Sequence, residues 1–230
     1  MFQFKQFTVR QERAAMKVGT DGVLVGAWTH IPDGCRRILD IGTGTGLIAL
    51  MAAQRCDDAL VTGVEADAAS AGQARENVAA SPWSDRIEVV DGRIQEYESA
   101  EPFDLIISNP PYYDGTLVCP DAERTAARHT VALSFSELMA SARRLIAADG
   151  RFSVIVPTDY VASLVAAGDM HLVRRCDVRT KSTKKPKRTL LEFSPVFLSA
   201  PRFGELIMCD DAGVPTADYK SLTGDFYLNL

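Results

Sequence analysis

An α/β fold, with helices packed on both faces of a mostly parallel sheet, is the class this sequence predicts. Three observations predict it. Short, almost continuous apolar runs such as 37–41, 105–108 and 152–156 read as strands covered on both sides. Helix-period segments alternate with those runs along the chain. Neither internal repeats nor low-complexity stretches interrupt the alternation.

The elements follow in order. Residues 37–41 form the first strand, and a glycine-rich turn leads from it into a helix over 47–54. A strand over 61–65 and a helix over 68–80 come next, then strands over 87–90 and 105–108. The helix over 135–147 is opened by Ser134 as N-cap, with Glu137 at the capping-box position. Residues 152–156 form a strand after Asp149-Gly150, and 160–167 a short helix. Strands over 172–178 and 190–193 flank a basic loop.

With 230 residues and 47% hydrophobic content, the chain can bury one good core, as a single globular domain with a short N-terminal addition. No apolar run is long enough to span a bilayer and Met1-Phe2-Gln3-Phe4-Lys5 is no signal peptide, so no membrane partner and a cytoplasmic location are expected. Five cysteines, odd in number and never in CxxC pairs, fit reduced thiols. His30, His129 and His171 are scattered, so no metal is expected. The net charge of −5 is uneven: between Arg174 and Arg188 eight lysines and arginines face only Asp177, leaving −12 on the rest. Such a patch attracts a polyanion if it lies beside a site for one, and is a solvated loop otherwise.

Two stretches carry chemistry. In Asp40-Ile41-Gly42-Thr43-Gly44-Thr45-Gly46 three alternating glycines let backbone approach a ligand at a helix N-terminus. Glu65 ends the second strand, where a carboxylate can accept both hydroxyls of a ribose. A dehydrogenase would use such an acid too, although the spacing here is GxGxG. Downstream, the strand at 105–108 runs into Asn109-Pro110-Pro111-Tyr112. The two prolines make a stiff turn that fixes an amide, a free carbonyl and an aromatic ring. That set suits a planar amino group such as an adenine edge, while each residue alone is ordinary turn chemistry.

Together the glycine turn and Asn109 to Tyr112 resemble the cofactor motif and the NPPY motif of Rossmann-like, S-adenosylmethionine-dependent methyltransferases that modify amino groups. The stretches Phe4-Lys5-Gln6-Phe7 and Ala15 to Trp28 resemble more narrowly the bacterial tRNA(Val) adenine-N6 methyltransferase family, as do Ser81-Pro82-Trp83 and Asp225 to Leu228. The similarity spans essentially the whole chain. It implies a class I methyltransferase fold: seven strands, mostly parallel, helices on both faces, the last strand antiparallel. It also implies an N-terminal cofactor-covering segment, 1–30, ahead of a methyltransferase domain, 31–230.

The resemblance further implies S-adenosyl-L-methionine as cofactor and the adenine 3′ of the anticodon as acceptor. Gly42, Gly44 and Gly46 would lie against the methionine part, with Asp40 fixing the loop and Thr20 and Asp21 closing over that end. Glu65 would hold the ribose. Where the family usually has an acid, Arg93 precedes Ile94, so Asp91 or the backbone at Ile94 would meet the cofactor's adenine. Asn109 and Pro110 would accept the N6 hydrogens of the target base, with Tyr112 stacked on it, and Asn109 would also border the cofactor. Arg124, Arg128 and His129 in the long segment 113–130, and Lys181, Lys184, Lys185, Lys187 and Arg188 in the basic loop, would hold the anticodon stem-loop. A monomer is expected. Competing readings are a release-factor glutamine methyltransferase, another NPPY-type nucleic-acid adenine methyltransferase, and an inactive RNA-binding module.

Overall fold

The computed structural model describes residues 1–111, 133–198 and 200–229. A small antiparallel hairpin, β1 (Phe2–Gln3) and β2 (Thr8–Val9), precedes α1 (Thr20–Trp28). The repeating part follows: β3 (Arg37–Ile41), α2 (Leu47–Arg55), β4 (Leu60–Glu65), α3 (Ala68–Ala79), β5 (Ile87–Asp91) and β6 (Phe103–Ser108). The C-terminal half contains α4 (Phe135–Leu145), β7 (Ile146–Pro157), α5 (Val161–Ala166), β8 (His171–Lys181), β9 (Arg188–Ser194), β10 (Arg202–Cys209) and α6 (Ala217–Thr223). The capping box forms as expected, with Ser134 and Glu137 exchanging bonds at the start of α4.

One sheet carries the fold, in the order β10-β8-β9-β7-β6-β3-β4-β5. β9 runs antiparallel to both neighbours and the other pairings are parallel. The seven expected strands are therefore extended by an eighth, β10, on the edge beside β8. Its exposed first half lacks the apolar continuity that marks the inner strands.

Alternation explains the layers. On β3 and β6, Ile38, Leu105 and Ile107 join the core under α1 and α2, whereas Leu39, Ile41 and Ile106 join the core under α4. The N-terminal segment belongs to the first of these cores through Phe4, Phe7, Val9 and Val23. Phe4 stacks between Phe7 and Tyr227, which ties the two ends of the chain together.

From β3 the chain moves outward through β4 and β5, then returns to place β6 on the other side of β3. The carboxyl ends of β3 and β6 thus form the topological switch point, where open α/β sheets bind ligands. Both sequence motifs emerge there.

Two predicted boundaries need correction. The helix expected over 135–147 stops at Leu145, because Ile146 already pairs with Phe103 at the start of the long strand β7. The basic stretch is mostly not a loop. β8 and β9 extend to Lys181 and from Arg188, leaving only 182–187 as the turn between them. Arg179 therefore joins Arg174 and Arg175 on a strand, where all three pair with carboxylates.

Candidate active site

Asp40, near the end of β3, is fully buried. Its Oδ2 accepts from the Thr43 hydroxyl (2.5 Å) and from Ala49 N–H in α2 (3.2 Å), so one carboxylate ties strand, turn and helix together. Its Oδ1 is buried and, among the described residues, has no hydrogen-bond partner. Burial pushes the carboxyl up to about 7; the Thr43 and Ala49 bonds oppose the rise and the charge of Glu65 adds to it.

The turn itself is left-handed at every glycine, with φ of 72° at Gly42, 57° at Gly44 and 83° at Gly46. A Cβ on Gly42 would meet nothing within 4 Å, and one on Gly44 only the Gly42 carbonyl oxygen, so this backbone is open on the side away from the protein. Gly63, in the middle of β4, is explained by the same turn. A Cβ there would come within 2.8 Å of the Thr43 hydroxyl, so the strand carries glycine where the turn folds back onto it.

Glu65 is held from two sides, Oε2 accepting from Gly44 N–H (2.8 Å) and Oε1 from Asp67 N–H (2.9 Å). Each oxygen keeps a further lone pair for a hydroxyl donor. Burial raises its pKa, while the Asp67 and Gly44 amides lower it. Asp91 ends the next strand directly beside Glu65 and is exposed. The Ile94 side chain is buried in the core with Val64 and Leu138, so any ligand contact it makes runs through its backbone.

The second motif is anchored to the first. Ser108, fully buried, donates its hydroxyl to the Ile41 carbonyl (2.9 Å), fixing the residue before Asn109 to the residue before Gly42. Asn109 is half-buried and Pro110 buried. The first turn of α1 lies over this junction: a Cβ on Gly22 would stand 3.1 Å from Leu47 Cδ2 and 3.9 Å from Asn109 Nδ2. Thr20, which opens α1, is exposed. Tyr112, Arg124, Arg128 and His129 lie outside the described residues.

The basic segment divides into two groups. Arg174 donates to Glu192 (3.1 Å) and lies 3.6 Å over the Trp28 ring. Arg175 pairs with Asp177 (3.0 Å), and Arg179 with Glu205. Arg188 Nε donates to Asp21 Oδ2 (2.6 Å), so two residues assigned from sequence to RNA and cofactor meet each other. Lys181 reaches the Asp211 carbonyl (3.0 Å), and Lys184, Lys185 and Lys187 are exposed. The turn that holds them leaves β8 at the same sheet edge as the end of β7, since Pro157 pairs with Arg188 and Thr158 N–H donates to the Lys187 carbonyl (3.2 Å). It therefore shares the rim with the glycine turn and Asn109.

Sequence reasoning missed a row of buried polar side chains on α3: Ser70, Gln73 and Asn77. Their signal was present as polar residues at i, i+3 and i+7 between Ala71, Ala74 and Val78. Among the described residues no group of three or more His, Cys, Asp or Glu could hold a metal ion, and no helix is long and apolar enough to cross a membrane.

Residues 27–163 match the methyltransferase small domain family model. The chain is 48% identical to a tRNA1(Val) (adenine(37)-N6)-methyltransferase of Bacteroides thetaiotaomicron, with 100% of this chain and 98% of that protein covered. It is 44% identical to the protein of the same name from Aeromonas hydrophila, with the same coverage. Among solved structures, a predicted O-methyltransferase from Agrobacterium tumefaciens superposes with a TM-score of 0.67 at 22% identity, covering 90% of this chain and 96% of that one. A glycopeptide N-methyltransferase complexed with S-adenosyl-L-methionine does so with a TM-score of 0.55 at 14% identity, covering 81% and 99%. At such identities the two structures speak for the fold alone.

Proposed function

The chain belongs to the methyltransferase small domain family and, at 40–48% identity over its length, to the tRNA1(Val) (adenine(37)-N6)-methyltransferases; from that premise we propose which residues carry the reaction. The enzyme uses S-adenosyl-L-methionine to methylate N6 of adenine 37 in tRNA1(Val). The observation that carries the site assignment is the Ser108–Ile41 hydrogen bond, which joins the acceptor motif to the glycine turn at the switch point.

The residues present fit the cofactor. The open face of Gly42 and Gly44 admits its methionine part, and the unpartnered Oδ1 of Asp40 offers a carboxylate near its cationic end. Glu65 keeps lone pairs for the ribose hydroxyls, and Asp91 lies one strand further along the rim. When bound, S-adenosyl-L-methionine supplies an electrophilic methyl group. Asn109 and the Pro110 carbonyl act on the acceptor. Adenine N6 is a poor nucleophile because its lone pair is delocalised into the ring. Two acceptors for its two hydrogens favour a more tetrahedral nitrogen with the lone pair directed outward. No dedicated base is required, because the methylated nitrogen is strongly acidic and loses its proton to water or a carbonyl. Tyr112 stacks on the base once it is splayed from the loop.

The anticodon stem-loop is held by the turn bearing Lys184, Lys185 and Lys187, together with Arg124, Arg128 and His129. Arg188 contributes through its pair with Asp21, setting the basic turn against α1. Residues 1–30 cover the cofactor, and the enzyme works as a cytoplasmic monomer. The test is incubation with methyl-labelled S-adenosyl-L-methionine and separate pools of tRNA, DNA and release factor. Label is expected only in tRNA, as N6-methyladenine, and absent from a tRNA1(Val) transcript carrying guanine at position 37. Label in release factor would overturn the assignment.

A further inference from the structure

A helix that buries polar side chains must satisfy them, and α3 buries three on one face. Ser70 and Gln73 are each 2% exposed and Asn77 1%. Gln73 Nε2 donates to Glu76 Oε2 (3.3 Å) within the helix, but the other partners are backbone groups, most of them in the N-terminal segment. Ala15 N–H donates to the Ser70 hydroxyl (3.2 Å) and Arg13 N–H to Gln73 Oε1 (3.3 Å). Asn77 takes both backbone groups of Arg10, accepting from its N–H and donating to its carbonyl, each at 2.8 Å. Further along, Gln11 Oε1 accepts from Val18 N–H (2.7 Å), which folds residues 11–18 onto themselves. Residues 10–15 thus climb α3 towards its first turn, and the chain then crosses to Thr20 at the start of α1. The glycine turn at the head of α2 lies between those two helices, because β3 lies between β4 and β6.

Asn77 has one more bond. Its Nδ2 also donates to the carbonyl of Thr45, inside the glycine turn (2.8 Å). A single buried amide therefore holds the crossing segment and the cofactor turn at once. We propose that residues 10–18 are a strap across the cofactor site, and that Asn77 is the positioning residue coupling strap and glycine turn. The strap closes more firmly when the cofactor is bound. This goes beyond the general expectation of a covering N-terminal segment: it names the α3 strip that grips the strap and the amide that links it to the site. It rests on the cofactor assignment and not on the RNA substrate.

The experiment uses the full chain without RNA and reads S-adenosyl-L-methionine affinity by calorimetry, with limited trypsin digestion in parallel. Arg10, Arg13 and Lys17 are cleavage sites within the strap, and Arg13 and Lys17 are exposed. In the unaltered protein, saturating S-adenosyl-L-methionine is expected to slow cleavage at these sites severalfold. Asn77→Ala and Asn77→Asp leave Arg10 and Thr45 backbone groups unsatisfied and should weaken cofactor affinity about tenfold or more, abolishing that protection. The double variant Ser70→Ala, Gln73→Ala releases the strap and the Gln73–Glu76 bond but no bond to the glycine turn, so it should lose protection while affinity falls only about threefold. Folded Asn77 variants with unaltered affinity, or strap cleavage indifferent to the cofactor in the unaltered protein, would overturn the proposal. Should the Asn77 variants not fold, the double variant decides, and undiminished protection in it overturns the proposal. An unaltered protein that does not bind S-adenosyl-L-methionine would instead refute the cofactor assignment itself.

Discussion

The glycine turn at 42–46 and the basic segment at 174–188 stand on the same rim and are built on opposite principles. In the turn, what each residue does is set by its own stereochemistry. Three positive φ angles, a carboxylate capped by the next threonine and a helix start follow from neighbours within ten residues. In the basic segment, what most of the arginines do is set by partners far away in sequence. Arg174 is claimed by Trp28 and Glu192, Arg179 by Glu205 and Arg188 by Asp21. Local stereochemistry survives folding unchanged, whereas a charge keeps its reach only if no carboxylate finds it first.

The largest effect is expected where the local principle meets the chemistry. Ser108 fixes Asn109 to the glycine-turn side of the site, so Asn109→Ala removes an acceptor without moving the cofactor. We expect kcat to fall on the order of 10²–10³-fold with cofactor affinity nearly unchanged, measured by steady-state methylation and calorimetry. Undiminished turnover would refute the acceptor mechanism.

The basic segment is tested by its free half. Replacing Lys184, Lys185 and Lys187 by Ala should weaken tRNA binding about tenfold or more at moderate salt. The slope of log affinity against log salt should become shallower by roughly two to three, read by filter binding over a salt series. The same measurement on Arg175→Gln should show an almost unchanged slope, because Asp177 already neutralises that charge. Equal slope changes in the two variants would erase the division within the segment.

This contrast also explains how much could be read from sequence. The strand and helix order from β3 to β9, the place of the two motifs at the ends of β3 and β6 and the capping box of α4 depend on short-range pattern, and all were legible. The glycine turn could be assigned residue by residue because φ > 0 and close approach are properties of glycine itself. The extent of β8 and β9 was not legible. Arg179 and Arg188 look like loop residues until Glu205 and Asp21 are placed beside them. The role of Asn77 was equally hidden, since its partners Arg10 and Thr45 lie 67 and 32 residues away.

Asp40 gives a smaller effect with a defined direction. Its carboxyl is raised to about 7 by burial, so the protonated form persists well above the usual carboxylate range. A cationic ligand favours the ionised form, so S-adenosyl-L-methionine affinity should rise severalfold as pH climbs from about 6 to about 8 and level off above the folded-state pKa. Stability runs the other way. A raised acid is stabilising when protonated, so its contribution is lost as pH rises from about 4, the unfolded value, through about 7. Asp40→Asn should flatten both dependences, seen in calorimetric titrations and thermal melts. A pH-independent affinity in the unaltered protein would remove Asp40 from the cofactor site.

The smallest effect on activity is expected at Arg174, and it is the sharpest test of the comparison. By charge alone it belongs with the lysines of the turn. By position it is a structural residue: its guanidinium covers the Trp28 ring, donates to the Trp28 carbonyl (2.9 Å) and pairs with Glu192, which is itself buried. Arg174→Gln leaves the Glu192 carboxylate inside the protein with its cation gone, which should cost on the order of 1–3 kcal/mol of stability. It removes no charge that a phosphate can reach from the turn. Chemical denaturation should therefore show the loss, while tRNA affinity and its salt slope stay within twofold of the unaltered enzyme. A variant with full stability and a shallower salt slope would put Arg174 back among the RNA-facing charges, and the segment would then act as the single basic loop that its composition suggests.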